Sequence, residues 1–131
     1  MIETWRWFGP LDKILLPEIA QTGATGIVTA LHEIPYGAVW PRDAIAARRN
    51  MIAAEGFSWD VVESLPVHER IKRGAGDLSE LLANYRQSLA NLAAEGIRTV
   101  CYNFMPLLDW TRTDLTTPLP RGGSCLRFSA P

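Results

Sequence analysis

One order of residues occurs three times in the chain: a glycine, then an apolar stretch, then a proline. The copies cover residues 23–35, 56–66 and 96–106, and the tetrapeptide Ala-Ala-Glu-Gly occurs at both 53–56 and 93–96. Glycine readily takes the left-handed conformation that ends a helix, and proline cannot donate to a strand ladder. The stretches are rich in β-branched and aromatic residues, which favours buried parallel strands. The repeat therefore predicts strands that alternate with helices.

The segments between these stretches carry three helical patterns. Apolar residues recur every three or four positions over 78–92, and Asp77 with Glu80 resembles a capping box at the start of that helix. A proline suited to a first helical turn opens 41–55, and a shorter helix is predicted over about 17–21. Together with a first strand over 4–8, the predicted order is β-α-β-α-β-α-β, with right-handed crossovers.

This order makes residues 1–108 an α/β unit of about four parallel strands and three helices. Two architectures accommodate it: a small open sheet that is complete in itself, or part of a (β/α)8 barrel of ~250 residues. The glycines that open the repeats are 33 and 40 residues apart, a spacing that suits barrel units. Residues 109–131 are rich in proline and glycine, and we expect an irregular loop or tail with a short hairpin around 121–124 as an option.

Polar side chains stand near the ends of three predicted strands. His32, Glu63 and Asn103 each lie three residues before the proline that closes a repeat. If they share one register, they point together toward the carboxyl ends of the strands, where enzymes of this fold bind substrates. Strand ends are also polar simply because they approach solvent, so each residue alone carries little weight. As a set, they are candidates for substrate binding.

A second candidate cluster follows the fourth strand. Asp109, Trp110 and Arg112 are close together in the sequence there. An arginine can bind a carboxylate through two hydrogen bonds, and a tryptophan ring can pack against a sugar-like ligand. The alternative is a loop closed by an exposed Asp–Arg pair. On the first strand, Trp5 and Trp7 alternate around Arg6, so the tryptophans face one side, and core packing is the expected role of this apolar surface.

The charge balance excludes several classes of function. Thirteen basic and fourteen acidic residues give a net charge of −1, so neither nucleic acid nor an anionic membrane is an expected partner. The two cysteines have no metal-type spacing, which fits a reduced cytoplasmic setting and excludes a zinc ribbon. No phosphate loop, dinucleotide fingerprint or nucleophile elbow occurs, and no catalytic residue is assigned from spacing alone.

Three strings of the sequence resemble the N-terminal third of mannonate dehydratase. They are Thr-Trp-Arg-Trp-Phe-Gly-Pro at 4–10, Gly-Ala-Thr-Gly-Ile-Val-Thr-Ala-Leu-His at 23–32, and Cys-Tyr-Asn-Phe-Met-Pro-Leu-Leu-Asp-Trp-Thr-Arg-Thr-Asp-Leu at 101–115. The resemblance runs across essentially the whole chain, including 61–69 and 126–128. It departs from the family pattern at Ser129, where an acidic residue is expected, and at the glycine-rich turn 122–125.

The resemblance implies part of a xylose-isomerase-like (β/α)8 barrel about three times as long as this chain. It implies the loss of water from D-mannonate, giving 2-keto-3-deoxy-D-gluconate in hexuronate breakdown, with Mn²⁺ or Fe²⁺ polarising the sugar acid. The family's metal ligands belong to later strands, so no metal is expected to bind tightly to this chain alone.

The leading hypothesis is therefore an N-terminal fragment of a lyase. A non-catalytic half-barrel that serves in binding or assembly is one alternative, and a sugar-acid isomerase or epimerase is another. A half-barrel leaves strand edges and an inner face uncovered, so we also expect the chain to self-associate.

Overall fold

The computed structural model describes residues 1–107 and 111–130. The first part of the chain alternates strands with helices, and the last part is a strand pair. The strands are β1 (Thr4–Arg6), β2 (Gly26–Thr29), β3 (Ser58–Val62), β4 (Thr99–Val100), β5 (Asp114–Pro118) and β6 (Ser124–Arg127). The helices are α1 (Leu16–Ala20), α2 (Arg42–Ala54), α3 (Glu69–Arg73) and α4 (Ser79–Ala94).

The first four strands form one parallel sheet in the order β1-β2-β3-β4. Each strand lies beside the one that precedes it in the sequence, as successive crossovers of one hand produce. The predicted α/β architecture with four parallel strands is confirmed. Within the described ranges no helix combines the length and apolarity that a bilayer crossing requires.

A fourth helix, α3, was not predicted. It has only five residues, too few to show an apolar period, and none of them is buried. Interactions at its two ends explain why the helix forms. At the first end, the Nδ1 atom of His68 accepts a hydrogen bond from the backbone N–H of Arg70, at 3.1 Å. At the other end, Gly74 takes the left-handed conformation with φ of 62°. His68 is therefore a helix cap rather than an unused loop residue.

Helix α4 begins later than the capping-box pattern predicted. Asp77 does not cap it, because Leu78 holds the cap position and the first helical residue is Ser79. The Asp77 carboxylate instead accepts hydrogen bonds from the N–H and the hydroxyl of Ser79, at 2.9 and 2.7 Å. Such a local turn competes with helical geometry for the same backbone donor, and here it precedes the helix.

The core lies between the sheet and helices α1, α2 and α4. Its apolar members include four aromatic side chains, and Thr29, Arg48 and Ser88 are buried polar residues. The apolar members are Trp7, Leu16, Ile19, Ile27, Ala30, Leu31, Trp40, Ile45, Ile52, Phe57, Trp59, Val62, Leu65, Leu92 and Ile97. The stripe predicted on α4 is only partly covered, since Leu82 and Leu89 remain exposed while Leu92 is buried.

Strand β3 contains a bulge at Asp60. Ile27 pairs with Trp59 and Val28 pairs with Val61, so Asp60 is an extra residue between the two pairs. A bulge shifts the alternation of side chains along the strand. The buried residues of β3 are accordingly Trp59 and Val62, three positions apart rather than two.

Strands β5 and β6 form an antiparallel hairpin in the proline- and glycine-rich segment. Asp114 pairs with Arg127 and Pro118 with Ser124. The turn needs positive φ at Gly122 and Gly123, with values of 88° and 77°, which glycine adopts without strain. The optional hairpin around 121–124 is thus present in the structure.

Candidate functional site

A cleft of about 440 Å³ opens at the carboxyl ends of the sheet strands. Its polar lining consists of Arg6, His32, Glu63, Ser64 and Asn103. Aromatic and aliphatic side chains complete the walls, which are formed by Phe8, Ala30, Leu31, Ile34, Tyr36, Trp40 and Pro66. The three strand-end candidates of the sequence are therefore brought to one cavity.

The three candidates do not share the register that counting back from the prolines predicted. Thr29 pairs with Val62, and Val62 pairs with Val100, so Glu63 follows its strand directly. His32 and Asn103 instead lie three residues beyond the ends of β2 and β4. Glu63 therefore lies nearer to the end of its strand than the other two candidates do. The closing prolines follow their strands at unequal distances, which explains the error.

Arg6 supplies the positive charge of the cleft. Its Nη1 atom lies 2.9 Å from the Oε2 atom of Glu63, and its Cζ atom lies 4.8 Å from the centroid of the Phe8 ring. Its Nε atom is buried and has no hydrogen-bond partner among the described residues. A buried N–H donor without an acceptor is costly.

Sequence reasoning missed Arg6 as a site residue. The signal was present, since alternation of Trp5, Arg6 and Trp7 sets the arginine on the side opposite the tryptophans. The charged side chain of Arg6 in β1 pairs with Glu63, which directly follows β3. In the sheet, β2 lies between these two strands. Only the pairing of β1 with β2, and of β2 with β3, brings them together.

His32 lies at the mouth of the cleft, with its ring 5.9 Å from the Phe8 ring and tilted by 37°. Partial burial of the imidazole lowers its pKa below 6.5, and the charges of Arg6 and Arg48 lower the pKa further. Neutral imidazole has one donor and one acceptor nitrogen. At pH 7 His32 is thus suited to accept a hydrogen bond or a proton from a bound hydroxyl.

Asn103 adds a neutral amide to the same wall. Its Nδ2 atom donates to the Ser64 hydroxyl at 3.3 Å, and its side chain is half-buried. Together the amide, the imidazole and the guanidinium offer hydrogen-bonding groups of three kinds. Such a set suits a ligand that carries both hydroxyls and a negative charge.

Of the second predicted cluster, only Arg112 lies within the described residues. Asp109 and Trp110 lie outside the described residues. Arg112 donates from Nη1 to the carbonyl oxygen of Thr111 at 2.9 Å, and it is not part of the cleft lining. In the described part of the chain, the guanidinium in the cleft is that of Arg6.

The residues of the cleft do not make up a transition-metal site. Such sites need about three or four convergent nitrogen, sulfur or carboxylate ligands. No group of three or more His, Cys, Asp or Glu side chains suited to a metal occurs within residues 1–107 and 111–130. Glu63, a carboxylate of the cleft lining, is paired with Arg6.

Comparison with known proteins gives a consistent result. Mannonate dehydratase of Chromohalobacter salexigens is 66% identical over 128 residues, covering 98% of this chain and 33% of that protein. Mannonate dehydratase of Marinomonas sp. strain MWYL1 is 62% identical over the same length and coverage. The chain therefore spans about a third of the length of these curated relatives, namely their N-terminal third.

A solved structure and a family profile agree. The crystal structure of mannonate dehydratase from Streptococcus suis serotype 2 superposes with a TM-score of 0.94 and 45% identity, over 98% of this chain and 37% of that chain. This similarity confirms the predicted partial barrel. The profile of D-mannonate dehydratase (UxuA) matches residues 1–130. The chain belongs to the D-mannonate dehydratase family.

Proposed function

We propose that this chain contributes one wall of the substrate site of a lyase that removes water from D-mannonate to give 2-keto-3-deoxy-D-gluconate. One observation carries the proposal: in a member of this family, a guanidinium, an imidazole and an amide line one cleft at the carboxyl ends of parallel strands. That end of a (β/α)8 barrel is where its enzymes bind their substrates.

In this proposal Arg6 binds the substrate carboxylate or an adjacent hydroxyl. Its Nε donor is unpartnered within the described residues, and its Nη1 atom is held toward the cleft by Glu63. A charged hydrogen bond contributes more than a neutral one, so Arg6 is expected to contribute more than Asn103. His32, whose pKa is lowered by burial and by nearby cations, would face a substrate hydroxyl as neutral imidazole.

The remaining parts of the proposal depend on the resemblance. Asp109, Trp110 and Arg112 stay candidates for substrate binding from the segment that follows β4. Mn²⁺ or Fe²⁺ would need ligands beyond those that the described residues bring together. A cytoplasmic location is also proposed, and the free, exposed state of Cys101 and Cys125 fits a reducing compartment.

The test is a chimera in which this chain replaces the matching third of the C. salexigens relative. We expect dehydration of D-mannonate to be retained. In the chimera, Arg6→Met should lower kcat/KM by roughly 10–100-fold, which corresponds to ~1.5–3 kcal/mol for a lost charged hydrogen bond. Asn103→Ala should lower it by a smaller factor, since a neutral bond contributes ~0.5–1.5 kcal/mol.

Arg42→Met is the matched control. Arg42 also pairs with a carboxylate, that of Glu95 at 2.8 Å, but it does not line the cleft. The variant should keep the kcat/KM of the chimera. A folded chimera that binds D-mannonate without turnover would favour the binding-module alternative. Equal activity of the Arg6, Asn103 and Arg42 variants would remove the cleft from the substrate site.

A further inference from the structure

Arg48 is a buried arginine in the middle of α2 with only 5% of its surface exposed. It was not singled out by any sequence motif. Its Nη1 atom donates to the carbonyl oxygen of Ala30 at 2.8 Å. Its Nη2 atom contacts both carboxylate oxygens of Glu33, at 3.0 and 3.2 Å. The two branches of the guanidinium therefore bind residues on both sides of His32, namely Ala30 and Glu33.

The same guanidinium also packs against the segment that follows β1. Its Cζ atom lies 5.6 Å from the centroid of the Trp7 ring. Gly9 has φ of +95°, and a Cβ atom built there would lie 3.1 Å from the Nη1 atom of Arg48. The glycine therefore allows the backbone next to Phe8 to approach the guanidinium closely.

These contacts connect the two segments that follow the paired strands β1 and β2. The first carries Phe8 and the second carries His32, whose rings lie 5.9 Å apart. Both rings belong to the cleft lining, whereas Arg48 does not. A planar fork with fixed donor directions suits this task better than a flexible ammonium group.

We propose that Arg48 is a positioning residue that fixes the Phe8–His32 pair at the mouth of the cleft, by binding Ala30 and Glu33 and by packing against Trp7. The inference rests on the proposed function in one respect, that the cleft holds the substrate. Arg48 itself touches neither the ligand space nor the reacting atoms.

The first test uses the 131-residue chain without substrate. Isotope-labelled protein should show a nuclear Overhauser contact between the Phe8 and His32 rings, and slow amide exchange over residues 31–33. Arg48→Met should abolish the ring contact and speed exchange at 31–33 by at least tenfold. Arg48→Lys keeps the charge but has no fork, so the ring contact should also be lost.

Arg49→Met is the matched control, because Arg49 neighbours Arg48 on α2 but pairs with Glu95, at 3.0 Å. It should leave the ring contact and the exchange over 31–33 unchanged. If Arg48→Met does not fold, Glu33→Ala is the alternative variant, because it removes a carboxylate partner of Arg48 at a side chain that is 59% exposed. Glu33→Ala should weaken the ring contact. A full ring contact in folded Arg48→Met, in Arg48→Lys or in Glu33→Ala overturns the proposal.

The second test measures whether the contacts of Arg48 affect turnover of D-mannonate. In the chimera described above, Arg48→Lys should lower kcat/KM for D-mannonate at least tenfold, and Arg49→Met should not. The ring contact is measured without substrate, so its result does not depend on D-mannonate being the substrate. Loss of the ring contact with unchanged kcat/KM would overturn the positioning role. An inactive parent chimera would count against the proposed function alone.

Discussion

The Nη1 atom of Arg6 lies 2.9 Å from the Oε2 atom of Glu63, across the cleft floor between β1 and the end of β3. Both side chains are partly open to solvent, at 32% and 45% exposure. Ion pairs with this exposure contribute only ~0–1 kcal/mol to stability. The pair is therefore better explained by the orientation that it gives the Arg6 guanidinium than by its contribution to folding.

The first prediction follows from this pair. Arg6→Met should raise the pKa of His32, because the Arg6 charge is one of the causes that lower it. The free energy of unfolding should change by less than ~1 kcal/mol. Titration of the His32 ring by NMR measures the pKa, and Arg42→Met, which removes a cation outside the cleft, should leave it unchanged. A His32 pKa that stays the same or falls in Arg6→Met would contradict this account.

The second prediction concerns the pH dependence of stability. The pKa of His32 is lowered from 6.5 in the folded chain, so the unfolded chain binds a proton first as the pH falls. Stability should therefore decrease as the pH falls through 6.5, and the loss is complete below the folded pKa. Urea unfolding of the wild type and of His32→Gln at a series of pH values checks this. The wild type should lose more stability than the variant as the pH falls, and parallel curves would refute it.

Ser88 supports the third prediction. It is almost fully buried in α4. Its Oγ atom accepts a hydrogen bond from the backbone N–H of Trp40 at 3.0 Å and donates one to the carbonyl oxygen of Asn84 at 2.9 Å. Ser88→Ala leaves the buried Trp40 N–H without its acceptor, which should cost ~1–3 kcal/mol of unfolding free energy. Ser124→Ala, at an exposed position in β6, should change stability by less than ~0.5 kcal/mol. Equal stability of the two variants would show that Ser88 is dispensable.

Self-association is the fourth prediction. Val67, Ile71, Leu82, Tyr85, Tyr102 and Phe104 line an apolar groove of about 260 Å³, and β4 is an edge strand of the sheet. Exposed apolar surface beside an open edge promotes pairing between chains. Sedimentation velocity should show dimers or larger species, and Leu82→Glu should shift them toward monomer. Leu11→Glu, at a fully exposed site outside the groove, should not, and a monomeric wild type at high micromolar concentration would rule the prediction out.

The fifth prediction concerns metal binding. Mn²⁺ titrated into the 131-residue chain should give no stoichiometric site of sub-micromolar affinity in calorimetry. The described residues bring no three suitable ligands together, and two ligands do not hold a transition metal tightly. A single tight site would show that the chain holds the metal without further strands.

The sequence predicted the parts of the fold that depend on local patterns. Glycine and proline bound three of the four sheet strands, and the β-branched and aromatic residues between them favour extended backbone, so these strands and their order could be predicted. Residues 121–124 likewise marked the hairpin turn, because positive φ at Gly122 and Gly123 is a local property. Family membership was also recognisable, since the strings over 4–10, 23–32 and 101–115 are long and specific.

Register and side-chain facing were decided by the tertiary structure. Counting back from the prolines predicted one shared register for His32, Glu63 and Asn103, whereas Glu63 directly follows its strand and the other two lie three residues beyond theirs. The cation of the cleft is Arg6, although the sequence pointed to Arg112, because pairing across three strands sets Arg6 against Glu63. These outcomes depend on pairing between strands that are distant in the chain, such as Thr4 with Gly26 and Val61 with Thr99, and no local count contains that information.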